Sequence, residues 1–180
     1  MKDFFRRGGW IFLGVIILGS ALVGGIYSVI AGNSNNQSNN YIKCPIVTVG
    51  EQKPGKNGKY EGAQLVGYKP VKHISYVYCQ DLKVGNGATA KATSTVTANY
   101  TGALASTGKI FQSSLDTGQP FTAQLNGGVI QGWTAGVPGM KAGGTRRLFI
   151  PAQYAYGSQS VAGIPPNSDL VFDISLIAVK

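Results

Sequence analysis

Residues Thr95-Val96-Thr97-Ala98-Asn99-Tyr100-Thr101 put an apolar side chain at every second position, Val96, Ala98 and Tyr100 alternating with threonines and an asparagine. Successive side chains of a strand point to opposite faces, so this period of two reads as a β-strand buried on one side only. Working outward, Ile74, Tyr76 and Tyr78 alternate in the same way with Ser75, Val77 and Cys79, and further strands are expected at Phe121–Leu125, Thr145–Ile150 and Asp169–Val179. The last of these lines up Leu170, Phe172, Ile174 and Leu176 on one face, which must be covered. The helical candidate is short, from Ile130 to Val137, stopped by Pro138-Gly139. The economical architecture is an α+β fold, a sheet with one short helix against its apolar face.

The N-terminal part differs in kind. Trp10 to Ala31 is a run of 22 residues without a charge, and at about 1.5 Å per residue such a helix crosses a hydrocarbon core of roughly 30 Å. Lys2, Arg6 and Arg7 precede the run and the uncharged stretch GNSNNQSNN follows it. The positive-inside rule then keeps residues 1–9 cytoplasmic and exports everything after the span. A signal peptide cleaved after Ala31 is the competing reading, which would make the protein secreted, although the run exceeds the roughly 7–15 apolar residues usual there. Residues 32–40 read as a flexible linker, 41–80 as an N-terminal extension without assignable chemistry, packed on the main domain with Cys44 as its staple to Cys79 if the two are bridged, and 81–180 as the main domain.

Beyond the span, 13 basic face six acidic residues, a surplus of seven. Only Arg146 and Arg147 adjoin, and no basic stripe interleaves with aromatics, so the charge reads as a solvated basic face and nucleic acid is not an expected partner. Cys44 and Cys79 both follow the span, where an exporting compartment permits a disulfide. Bridged and free forms both remain open on the sequence, and two cysteines with the lone His73 fall short of a four-ligand zinc site. No G-x-S-x-G elbow occurs, Asp116, Asp169 and Asp173 are too scattered for a carboxylate pair, and Gly85-Asn86-Gly87 reads as a turn. No cofactor or metal is called for, and a monomer is the expected state.

The remaining signal is aromatic. Tyr100, Phe111, Phe121, Trp133, Tyr154, Tyr156 and Phe172 fall in the last 81 residues, interleaved with Val129-Ile130 and Ile164-Pro165-Pro166. Taken singly these are core residues. Their order is more specific: Asp81-Leu82 with Gly85-Asn86-Gly87-Ala88, Tyr100-Thr101-Gly102, Gly108-Lys109-Ile110-Phe111, Pro120-Phe121, Val129-Ile130-Gln131-Gly132-Trp133, Tyr154-Ala155-Tyr156-Gly157, Ile164-Pro165-Pro166 and Leu170-Val171-Phe172. In this order residues 81–180 resemble the FKBP family of peptidyl-prolyl cis/trans isomerases. The resemblance implies a bent antiparallel sheet wrapped around one short helix, with a proline pocket between them and proline-containing polypeptides as substrates.

Carried over by that resemblance, Trp133 is the pocket floor, and Tyr100, Phe111, Phe121, Val129, Ile130, Ile164 and Phe172 its walls. Tyr156 offers its hydroxyl and Ile130 its backbone N–H to substrate carbonyls. The chain departs from the family where Gln112 follows the wall phenylalanine in place of the usual Asp, and where Thr117 stands in place of a frequent Arg. Together these remove a charge pair, so Gln112 enters the site as a neutral group. That departure motivates the alternative of a catalytically weak module that binds proline segments as a chaperone or adaptor. The loop between Gly157 and Ile164 (SQSVAG) also lacks the family's frequent aromatic or His.

Overall fold

The computed structural model describes residues 42–161 and 163–180. The apolar run 10–31 and the linker 32–40 lie outside the described residues, and among the described residues no helix is long and apolar enough to cross a membrane. Along the described chain run β1 (Tyr78–Lys83), β2 (Thr95–Leu104), β3 (Ile110–Ser113), β4 (Phe121–Gln124), α1 (Gln131–Gly136), β5 (Thr145–Ile150) and β6 (Leu170–Val179). They form one antiparallel sheet in the order β1-β5-β6-β2-β3, with β4 also on β2.

The alternating stretch from Thr95 to Thr101 forms most of β2, which changes partner along one edge. Thr95–Ala98 pair with β4, and Thr101–Ala103 pair with β3. In the gap serine side chains replace the ladder: the Tyr100 N–H donates to Ser114 Oγ at 3.0 Å, and Ser113 Oγ donates to the Tyr100 carbonyl at 3.1 Å. Register shifts at Thr97/Ala98 and Gly102/Ala103 add the twist that bends the sheet here.

The alternation of β6 sorts its side chains as the period of two requires. Leu170, Phe172, Ile174 and Leu176 are buried in the cluster that includes Trp133 of α1, while Val171 faces the other way with Ala103, Ala105, Ile110 and Phe149. The helix lies close on β5 because Gly132 and Gly136, four residues apart, present bare backbone: a Cβ at either would run into Ile150 or Leu148. Arg146 fastens the far end of α1, donating to the Gly136 carbonyl at 2.9 Å while its other nitrogens grip the Asp81 carboxylate at 2.7 and 3.1 Å.

Residues 42–77 are a cover with several fixings. A disulfide joins Cys44 to the fully buried Cys79, with the Cα atoms 5.0 Å apart; closing a loop with a sequence separation of 35 stabilises by about 3–4 kcal/mol on the chain-entropy account. Val47 and Pro45 exchange backbone hydrogen bonds with Asp81 on the edge of β1, and Gly62, Ala63 and Leu65 bond to Ile110 and Gly108 on the edge of β3. The sheet edges at β1 and β3 are thereby blunted. Leu65, Ile74, Tyr68 and Val71 close the face that bears Val171, and Arg147 binds that layer to the sheet, reaching the Val66 carbonyl at 2.8 Å and the Asp173 carboxylate at 2.6 and 2.8 Å.

Several boundaries differ from expectation, α1 at both ends and the start of β6 by a single residue each. Residues 73–77 form no strand, because their polar groups bond to a side chain and not to a ladder: the Asp169 carboxylate accepts from the Ile74 N–H at 2.6 Å and sits 3.0 Å from His73 Nδ1. Ile74 turns inward there and Tyr76 stays half exposed; the strand proper starts at Tyr78 and runs past residue 81. The third strand from the C-terminus, β4, stops at Gln124, and Leu125 swings into the core with its N–H on the Ser94 carbonyl.

Candidate active site

The helix α1 carries Trp133 onto the concave face of the sheet, where its side chain is only 3% exposed. Three rings stand on edge around the indole. Phe172 lies 5.7 Å away at 85°, Tyr100 5.8 Å at 82°, and Phe121 6.0 Å at 88°. Perpendicular contacts are favourable for aromatic quadrupoles. They also have a geometric consequence: rings that stand upright on a floor enclose space without filling it. The space is a cavity of about 410 Å³, within the range of small-ligand pockets, open to solvent.

Local sequence explains the rim. Phe172 and Phe111 meet at 5.7 Å and 84° directly over Gly102, where a Cβ would come within 2.7 Å of both rings. Glycine at that place in β2 makes room for the aromatic pair. Val129 and Ile130 complete the side toward α1, whose N-cap is Ile130. Gln112 and Tyr156 bring the polar atoms. Neither the Tyr156 hydroxyl nor the Ile130 N–H has a partner among the described residues, so both are free to bond a guest. Among the described residues no carboxylate, imidazole or amine lines the slot. Burial, with a smaller contribution from neighbouring Tyr156, raises the Tyr100 hydroxyl above its usual pKa of 10.0, so it remains neutral. Among the described residues no three His, Cys, Asp or Glu side chains group as metal ligands.

The structure gathers eight residues singled out from sequence around this one slot: Tyr100, Gln112, Phe121, Val129, Ile130, Trp133, Tyr156 and Phe172. Two others stand next door. Phe111 and Ile164 line an adjoining cavity, Phe111 backing the Phe172 wall and Ile164 buried in the cluster that holds Trp133. Gly127 and Gly128, which also line the slot, were missed. A search for side chains overlooks them; the available signal was the turn Asn126-Gly127-Gly128 between strand and helix, closed by the Gly128 N–H on the Gln124 carbonyl at 3.0 Å.

An apolar slot with a few neutral hydrogen-bonding groups at its mouth can seat a proline-sized ring and hold its flanking carbonyls, and it offers no means of proton abstraction or covalent attack. That chemistry agrees with the comparisons. Residues 86–177 match the family model for FKBP-type peptidyl-prolyl cis-trans isomerases. The chain belongs to that family. An FK506-binding protein 4 of Aspergillus fumigatus is 43% identical over 131 residues, covering 72% of this chain and 26% of the relative. A Saccharomyces cerevisiae peptidyl-prolyl cis-trans isomerase is 45% identical over 105 residues, covering 58% and 25%. The chain thus spans about a quarter of the length of these relatives. Among solved structures, FkpA of Escherichia coli superposes with a TM-score of 0.54 at 43% identity, over 63% of this chain and 52% of that one. AtFKBP13 gives 0.54 at 36%, over 60% and 96%.

Proposed function

We propose that the chain catalyses cis/trans rotation about X–Pro bonds of exported polypeptides, working as a monomer tethered to the outer face of a membrane by residues 10–31. The observation that carries the catalytic reading is the open slot over Trp133, walled by perpendicular rings and, among the described residues, lined by no carboxylate, imidazole or amine.

A prolyl bond rotates over a barrier of about 18–20 kcal/mol because amide resonance must be lost as the bond twists. The twisted imide has less charge separation than the planar one, so moving it out of water favours the twisted form relative to the ground state. The rings around Trp133 hold the pyrrolidine in such surroundings. The Tyr156 hydroxyl and the Ile130 N–H hold the carbonyls on either side while the bond between them turns. Each 1.36 kcal/mol of differential stabilisation is tenfold in rate, so about 4 kcal/mol gives roughly a thousandfold. No acid or base is needed for any step.

The extracytoplasmic placement rests on the charge-flanked apolar run and on the Cys44–Cys79 bridge, since disulfides persist in oxidising compartments and are rare in the cytosol. Gln112 at the slot mouth favours one second reading, a proline-segment holdase or adaptor that binds without turnover. A protease-coupled assay of a Leu-Pro tetrapeptide with the full chain in detergent separates the two. The expected result is isomerisation well above the thermal rate, falling about three- to tenfold in Tyr156→Phe as one substrate hydrogen bond worth roughly 0.5–1.5 kcal/mol is lost. Peptide binding with only the thermal rate rejects the enzyme in favour of the holdase.

A further inference from the structure

A second cavity, of about 820 Å³, opens beside the slot between the extension and the loop before β6. We propose that this groove binds the stretch of substrate polypeptide adjoining the proline and selects acidic side chains in it, which makes Lys59 and Lys109 specificity-determining residues. The inference rests on the function proposed above and extends it from the proline to its neighbours.

Continuity with the slot comes first. Phe111 is the partition: it lines the groove and packs edge-on, at 5.7 Å, against Phe172, which lines the slot. An extended chain advances about 3.3 Å per residue, so a polypeptide with its proline on Trp133 covers the two 5.7 Å steps over Phe172 to the Phe111 ring within about three to four residues and enters the groove.

The walls are held before any ligand arrives. On one side the Asp116 carboxylate accepts from the N–H groups of Tyr60 and Glu61 at 2.7 and 2.9 Å, Gly55 donates to the Lys59 carbonyl at 2.7 Å, and Gly62 donates to Ile110 on β3 at 2.8 Å. On the other, Val161 and Ile164 exchange backbone hydrogen bonds ahead of the stiff Pro165-Pro166 pair. A groove fixed in this way spends little of its binding energy on ordering itself.

Charge then chooses the occupant. The floor around Phe111 and Ile110 is apolar, but the rim carries Lys59 and Lys109 against a single Glu61, and neither lysine has an ion-pair partner among the described residues. The slot has no charge of its own with which to discriminate. Lys59 precedes the residues matched by the family model and Lys109 lies within them, so this selectivity joins the chain's own extension to the family domain.

The test uses the full chain in detergent and fluorescein-labelled peptides: a Leu-Pro tetrapeptide, and the same core lengthened by four residues on each side in turn, carrying either two Glu or two Lys. Affinities by fluorescence anisotropy are expected to rise about tenfold for the Glu extension on one side, with no rise for the Lys extension and with the gain lost at high salt. The double variant Lys59→Glu/Lys109→Glu, both exposed positions, is expected to abolish that gain while the tetrapeptide binds and turns over as before. Equal gains for both charges, no gain for either, or a gain that survives in the double variant overturns the groove, whatever the turnover of the tetrapeptide. A tetrapeptide that binds without acceleration rejects the isomerase instead, and the affinity ratio still decides the groove.

Discussion

The two faces of the sheet share strands and differ in what covers them. Neighbouring residues of β6 show it most directly: Phe172 looks toward Trp133 and an open slot, Val171 toward Leu65 and Ile74 in a sealed layer. On the sealed face Ala103, Ala105 and Ile110 pack with Phe149, on which Tyr78 lies stacked at 4.2 Å and 8°, and the cover is the chain's own extension. On the open face the partners are rings at nearly right angles, which touch by their edges and leave a gap. Both faces bury apolar surface with comparable completeness, so burial does not separate core from site. The angle at which the rings meet and the presence of a cover do.

If that contrast is right, damage to the sealed face should cost stability and spare binding, and the reverse should hold on the open face. The largest effect is expected at Asp173. Its carboxylate grips Arg147, whose side chain is 2% exposed and which also holds the Val66 and Gly67 carbonyls of the cover. Burial pushes the Asp173 carboxyl above its usual 3.8 and the Arg147 contacts pull it back, as expected for a charge kept inside by its partner. Asp173→Asn strands the buried guanidinium and is expected to cost about 3–5 kcal/mol in urea unfolding, with peptide affinity of the folded protein unchanged. A loss below about 1 kcal/mol would mean the cover is held by something other than this pair.

The mirror experiment is smaller. Phe121 is 37% exposed and stands as one wall of the slot. Phe121→Ala removes apolar surface that the guest would bury, so kcat/KM for a Leu-Pro peptide should fall about tenfold, equivalent to 1.4 kcal/mol. Stability should fall by less, about 1 kcal/mol or under, because the ring is already half in water. A variant that unfolds readily but still turns over its substrate would make the aromatic wall a core element after all.

The same contrast sets how much could be read from sequence. The alternation in β2 and β6 was legible because one buried face imposes a period of two, and the short helix was legible from its Pro138-Gly139 stop. The eight slot residues were legible only through the order of family motifs, since aromatic spacing by itself reads as core. Residues 73–77 misled: Ile74, Tyr76 and Tyr78 keep strand periodicity, but the Asp169 side chain, 95 positions from Ile74, captures the backbone first. That an extension packs on the main domain with Cys44 stapled to Cys79 was legible, but its other fixings were opaque because they are long-range pairs, Arg147 to Val66, Gly62 to Ile110, Tyr60 to Asp116, which leave no local pattern. Gly127 and Gly128 were hidden for the opposite reason, having no side chain to notice.

The smallest expected effect is none at all, and it bears on mechanism. Turnover by acid or base chemistry would follow the titration of some group in the slot, giving a step or a bell in kcat/KM. Among the described residues the slot has no carboxylate, imidazole or amine, and Tyr100, pushed upward by burial, stays protonated until above its ordinary 10.0. The sign is fixed by that direction: the neutral form is the one present throughout the working range, and raising the pKa only widens it. With a short uncharged Leu-Pro peptide, which makes no use of the lysines beside the slot, kcat/KM should therefore be flat from about pH 6 to pH 8. A change of more than threefold across that window would require an ionisable participant, and desolvation by the ring-walled slot would no longer account for the rate.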